Sequence, residues 1–353
     1  MNWTKKQGVA NFREKDFFNN KKWVLIIDES IQFGNKKLLA VLAVPADFKN
    51  DGKSLNYKDI VPLLLEVSTS WKADEIAEKI KEKIDIEQVY YGISDNGNNL
   101  INAFKILNCK HIEDINHKFS WIIQKIFSDN EQFISYTKEM SNLRTRLPLS
   151  KFARILPPNQ RVISRYMNLT PLFEWGVRMT KLFEMNELNN EEKEKLSFLP
   201  NYKNFITQTY NLICTLNKIQ KIMKNSGFNK NNVKESSKLL DTLVDDNSLK
   251  VRDMIIDYFN NTLNKMLLEE TIYCSSDILE SSFGKFKELV KTNKTVGISD
   301  LCLCISALFG EQDEIKTKYA MENIKVKQVK QWRDKNIGET LFAQKTKLLK
   351  KAG

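Results

Sequence analysis

The sequence is poor in the sulfur and nitrogen ligands of a metal centre. Its only histidines are His111 and His117, and its five cysteines (Cys109, Cys214, Cys274, Cys302 and Cys304) are scattered with no Cys-x-x-Cys pair. A structural zinc site is therefore not expected. Dispersed, odd-numbered thiols suit a reduced, intracellular (cytoplasmic or nucleoid-associated) protein better than a disulfide scaffold. No uninterrupted apolar stretch approaches the roughly 20 residues of a membrane span. The first residues, Met1-Asn-Trp-Thr-Lys-Lys-Gln7, lack the apolar segment of a signal peptide. No period repeats along the chain, which argues against a solenoid.

What remains is a globular composition with an excess of positive charge. The 353 residues are 42% hydrophobic and 28% charged, with a net charge of +11. That length suits one large or two ordinary domains. From Lys316 to the end there are 11 Lys or Arg and three acids (Glu322, Asp334 and Glu339), so eight of the eleven net charges lie in the last 38 residues. A polyanionic partner is expected.

Three carboxylates stand out by their settings. Asp28 ends the apolar run Trp23-Val-Leu-Ile-Ile-Asp28, and Asp95 ends Val89-Tyr-Tyr-Gly-Ile-Ser-Asp95. Glu280 lies in Ser275-Ser-Asp-Ile-Leu-Glu280-Ser-Ser-Phe-Gly-Lys285, which reads as a helix start. Magnesium prefers oxygen ligands. Two such ions about 3.5–4 Å apart can stabilise the attacking and leaving oxygens of a phosphoryl transfer. Taken singly, each aspartate is more ordinarily a turn or cap residue.

The surrounding pattern predicts strands over 23–28 and 37–44, joined by a Gly34-Asn35 turn. A third strand is expected over Asp59–Val67, at a sheet edge because of Pro62. A helix capped by Ser70 follows, with Trp71, Ile76 and Ile80 on its apolar face. Residues 87–94 predict a strand, 98–107 a helix, 109–115 a short strand and 117–127 a helix. The order β-β-β-α-β-α-β-α points to an RNase H-like α/β fold, a mixed sheet with chemistry at its strand ends. Residues 130–270 then read as a large all-α insertion, with long helices over 202–224 and 248–270. Residues 271–310 return to the core with the Glu280 helix and an apolar helix over 298–309. The expected organisation is a short arm (1–22), a first core segment (23–129), the insertion, a second core segment (271–310) and a basic tail (311–353).

The ordered set of motifs resembles a DDE transposase with an RNase H-like catalytic domain and helical insertion, closest in layout to hAT-type and related bacterial insertion-sequence enzymes. Ile93-Ser-Asp95-Asn-Gly-Asn-Asn-Leu100 is similar to the second-aspartate motif. Asp114-Ile-Asn-His117 matches the [Cys/Asp]-x-x-His motif. Gln160-Arg-Val-Ile-Ser-Arg-Tyr-Met-Asn168 resembles the Arg-Trp motif, with Tyr166 in place of Trp, and Ser275 to Gly284 resembles the segment carrying the last glutamate.

The resemblance implies that Asp28, Asp95 and Glu280 hold two Mg²⁺ ions, for which Mn²⁺ could substitute, and that the enzyme cuts transposon ends and joins them to target DNA as a dimer or higher oligomer. Asp277, three residues before Glu280, competes for the third place. Asp114 and His117 are accessory candidates, with helix capping as the alternative for Asp114. DNA-contact candidates are Lys285 and Lys287 beside Glu280, Arg161 and Arg165 near Trp175, and Lys330 and Arg333 in the tail. A solvated face is the alternative for the lysines, and a core position for Trp175.

Such transposases carry an N-terminal DNA-binding domain, whereas 22 residues precede the first expected strand. End recognition would then fall to the tail, the insertion, a partner or an upstream segment, and the chain could be a truncated or domesticated copy. The rival readings are an RNase H-like nuclease without strand transfer and a non-catalytic DNA-binding relative.

Overall fold

A computed structural model describes residues 2–12, 21–33, 36–48, 52–147, 151–160, 166, 169–267, 270–290, 298–338 and 341–352. The chain is α/β. In order come α1 (Asn2–Asn11), β1 (Trp23–Phe33), β2 (Lys36–Pro45), β3 (Val61–Ser68), α2 (Ala73–Lys81), β4 (Val89–Ser94), α3 (Asn98–Ile106), β5 (Lys110–Glu113) and α4 (Ile115–Phe127). Then follow α5 (Glu131–Arg146), α6 (Thr170–Glu184), α7 (Asn190–Lys195), α8 (Leu199–Ser226), α9 (Lys230–Leu240) and α10 (Asp246–Leu263). Last are α11 (Asp277–Val290), α12 (Leu303–Ser306), α13 (Glu314–Asn323), α14 (Val326–Asn336) and α15 (Leu341–Ala352). The expected strand and helix order from 23 to 127 is the observed one.

The chain divides into two compact units. One holds residues 1–114 and 272–353, the other residues 115–271. In the first, the five strands form one mixed sheet in the order β3-β2-β1-β4-β5. β2 is antiparallel to β1 and β3, while β1, β4 and β5 run parallel. β3 lies at the edge, where the missing N–H of Pro62 is tolerated. The predicted Gly34-Asn35 turn lies outside the described residues. α2 starts at Ala73 with Lys72 as its N-cap, not at Ser70.

Alternation along β1 gives each face of the sheet its own cover. Trp23, Leu25 and Ile27 join Leu39, Val41 and Ala43 in a core closed by Ile76 and Ile80 of α2 and by Leu100 and Phe104 of α3. Gly92 belongs to this face. A Cβ there would stand 1.9 Å from Cε1 of Phe104, so only glycine lets that ring settle on β4. The opposite face carries Val24, Ile26 and Asp28. It receives the chain returning from the helical unit. Tyr91, the register partner of Val24, donates its hydroxyl to the Tyr273 carbonyl (3.2 Å) and accepts from the Tyr273 N–H (2.8 Å). α11 then packs against β1.

Residues 2–11 form a helix rather than a loose arm, and the basic tail is built as α13, α14 and α15. Val9 and Ala10 pack with Leu303, Ala320, Ile324 and Val329, and Phe12 stacks on Trp332 at 5.9 Å. The apolar run 298–309 forms a 3₁₀ turn (Asp300–Cys302) and the short α12 instead of one long helix. Asn11 explains where it stops. Its Nδ2 donates to the carbonyls of Ser306 and Phe309 at 2.8 Å each, taking groups that a longer helix would use itself.

The helical unit contains α4 to α10, so its boundary lies at Ile115 rather than near residue 130. α4 packs with α10, and Phe119 meets Tyr258 and Phe259 edge-on or tilted at 6.4 Å. Gly227, at φ +74°, ends α8. Glu192 is buried and takes a bidentate bond from the Arg154 guanidinium at 2.5 Å.

Candidate functional site

β1 runs on to Phe33, so Asp28 lies within its strand rather than ending it as expected, whereas Asp95 directly follows the end of β4. Ile26 of β1 is level with Ile93 of β4, and Ile93 with Ile112 of β5. Asp28, Asp95 and Asp114 each lie two residues beyond these paired isoleucines, Asp95 and Asp114 just past the ends of β4 and β5. The ladder continues that far, because the Asp114 N–H donates to the Ser94 carbonyl at 2.9 Å. Glu280 enters from α11, on the first turns of a helix packed against β1. Thus Asp28, Asp95 and Glu280, separated by as many as 252 positions in sequence (28 to 280), belong to one unit.

Each side chain has its own surroundings. Asp28 is buried within β1, opposite Ala40 of β2. Asp95 is half-buried just past β4, and its Oδ1 accepts the Gly97 N–H at 2.9 Å, a local turn that also starts α3. Ser94 donates its hydroxyl to the Asp95 carbonyl (2.8 Å) and lies 2.9 Å from His111 Nε2, whose ring stacks on Phe104. His111 therefore braces the end of β4. Glu280 is half-buried, with Oε1 fully covered.

Asp114 reaches across to α11. Its Oδ2 accepts both the backbone N–H (2.5 Å) and the hydroxyl (3.0 Å) of Ser276, at the root of α11. Glu29 was not singled out by sequence. Burial pushes its carboxyl up, the nearby Asp95 adds to the rise, and Lys37, 3.8 Å away, opposes it.

The donors are all carboxylate oxygens, which is the right chemistry for a hard divalent cation. Their arrangement is looser than a closed site. Among the described residues, no three His, Cys, Asp or Glu side chains lie close enough to hold one ion.

The remaining candidates are dispersed. Lys285 and Lys287 are exposed on α11, with Lys285 Nζ 4.1 Å from the centroid of Tyr57, whose hydroxyl lies 2.8 Å from Ser281 Oγ. Asp277 opens the same helix. Lys330 is exposed on α14, and Arg333 is half-buried beside Asp334 at 2.7 Å. His117 sits half-buried in the first turn of α4, in the helical unit. Trp175 is a buried core residue of α6. Arg161 and Arg165 lie outside the described residues. A cavity of about 160 Å³, lined by Trp23, Pro45, Lys58, Ile60 and Phe309 among others, opens at the other end of β1, away from the carboxylates. No helix is long and apolar enough to cross a membrane among the described residues.

Compared with known proteins, the sequence matches no family model, and no curated protein matches it significantly.

Proposed function

We propose that the chain is a DDE transposase, an RNase H-like polynucleotidyl transferase that cleaves transposon ends and joins them to target DNA. The supporting observation is that Asp28, within β1, and Asp95, just past the end of β4, each lie two residues beyond the paired Ile26 and Ile93 of adjacent parallel strands, with Glu280 delivered by a helix packed on β1. The mixed five-stranded sheet, with β2 alone antiparallel and a helical unit between its two chain segments, is compatible with this reading.

Asp28, Asp95 and Glu280 would hold two Mg²⁺ ions, or Mn²⁺ in their place, which supply charge stabilisation at the attacking and leaving oxygens of the phosphodiester. Carboxylates acting as ligands leave no covalent protein–DNA intermediate. Asp28 is fixed by the β1 ladder and Glu280 by α11, so these two anchors are set by the fold. Asp95 stands at the head of a turn, where its side chain can change rotamer without unfolding a strand. Glu29 adds a further acid beside Asp95, which strengthens the field for a divalent cation. Lys285 and Lys287 would meet DNA phosphates on the near side of Glu280, and Lys330 and Arg333 would hold the flank. A homodimer or larger assembly would pair two ends.

The test uses end-labelled duplex bearing the termini of the chain's own element, with Mg²⁺, Mn²⁺ or EDTA and a target plasmid. Metal-dependent nicks at the termini followed by joined product support the transposase. Nicks without terminal preference or joining would replace it by a nuclease. Binding without nicks under any metal would replace it by a non-catalytic DNA-binding protein.

A further inference from the structure

We propose that Asp114 is the positioning residue for Glu280: its carboxylate grips the root of α11 through Ser276 and so sets where Glu280 stands. The inference rests on reading Glu280 as a metal-binding carboxylate.

The connection is short and buried. Asp114 and Ser276 are each 1% exposed. Asp114 is held to the sheet by its own N–H on the Ser94 carbonyl. Its Oδ2 takes the Ser276 N–H and hydroxyl together. The Ser276 carbonyl in turn accepts the N–H of Leu279 (2.8 Å) and of Glu280 (3.4 Å), which closes the first turn of α11. A chain of hydrogen bonds therefore runs from the end of β5 to the backbone of Glu280 itself. A carboxylate is well suited to this task. It accepts from N–H groups that a helix start leaves without intrahelical partners, and its charge opposes the positive end of the helix dipole.

The location also matters. Asp114 is the last residue before the chain leaves for the helical unit, and Ser276 comes five residues after Thr271, where that unit ends. Tyr91 makes a second tie nearby, through its hydroxyl to both backbone groups of Tyr273. The returning chain is thus fastened to two parallel strands before α11 begins. Asp95, by contrast, turns its oxygen to Gly97. The two aspartates therefore divide the work: Asp95 serves as ligand, and Asp114 places the ligand carried by α11.

The test compares wild type with Asp114→Ala, Ser276→Ala and the double variant by amide hydrogen exchange, Mn²⁺ binding and single-turnover DNA cleavage. Exchange at Leu279 and Glu280 is expected to accelerate roughly tenfold or more, as loss of a charge-assisted hydrogen bond allows. Mn²⁺ affinity and kcat should fall with KM for DNA little changed, and the double variant should be no worse than Asp114→Ala. Where Asp114→Ala fails to fold, Asp114→Asn, which keeps the shape and one acceptor, carries the comparison with smaller effects. Unchanged exchange overturns the brace whatever happens to activity. Faster exchange with normal Mn²⁺ binding and cleavage overturns the positioning role. A wild type that neither binds Mn²⁺ nor cuts DNA overturns the reading of Glu280 itself, while exchange still reports on the brace.

Discussion

Glu29 illustrates how one residue carries the electrostatics of its neighbourhood. Its carboxyl is raised from the ordinary 4.5 by burial first and by Asp95 next, with Lys37 opposing. A raised value means that the folded chain binds the proton more tightly than the unfolded chain. Its contribution to stability is therefore present below the ordinary glutamate range and is lost as pH rises through the folded-state value. Glu29→Gln should gain on wild type in melting temperature between mildly acidic and neutral pH, and a constant gap would contradict the assignment. The Lys37 pair lost in that variant is long and exposed enough to matter little. Asp28 and Asp95 were singled out as candidates because an acid closing an apolar run is visible locally, although β1 in fact continues past Asp28 to Phe33. Glu29 was not, because its environment depends on a strand 60 residues away. Asp114 was legible as a candidate, but its partner Ser276 lies 162 positions on and no local pattern announces it.

At the scale of elements, close packing makes two glycines testable. At Gly92 a Cβ would overlap the Phe104 ring, itself fully buried. Gly92→Ala should cost about 1–3 kcal/mol by overpacking, measured by denaturant titration. At Gly8 a Cβ would stand 2.3 Å from the Leu303 carbonyl oxygen, a backbone atom that cannot turn aside. Gly8→Ala should loosen α1 and make the first residues more susceptible to limited proteolysis. Equal resistance would mean that α1 is not seated as described. These contacts also explain what sequence concealed. The buried residues of α1 are the consecutive Gln7, Gly8, Val9, Ala10 and Asn11, so no helical periodicity marks it. The strands were legible because alternation and continuous apolar runs report burial directly. The run 298–309 was misread as one helix, since Asn11 intercepts its carbonyls from the far end of the chain.

For the molecule as a whole, charge and division into units set the behaviour. The net charge of +11 predicts salt-sensitive DNA binding. Replacing Lys285, Lys287, Lys330 and Arg333 by alanine should weaken binding across sequences and reduce the slope of log K against log salt by up to about four. An unchanged slope would place the DNA elsewhere. The two-unit layout was legible as a compositional change, but its first boundary was not. The segment 115–127 continues the β-α alternation in sequence, whereas its apolar face (Phe119, Ile122, Ile123) is spent in the helical unit.

If Asp28, Asp95 and Glu280 act together on DNA, single-turnover cleavage of labelled terminal duplex in Mg²⁺ by wild type, Asp28→Asn, Asp95→Asn and Glu280→Gln, with circular dichroism to verify each fold, will report it. Cutting by wild type and loss of at least about a thousandfold in every variant, as expected when a ligand to a catalytic metal is removed, would agree with the account. Full cleavage by any one folded variant would contradict it.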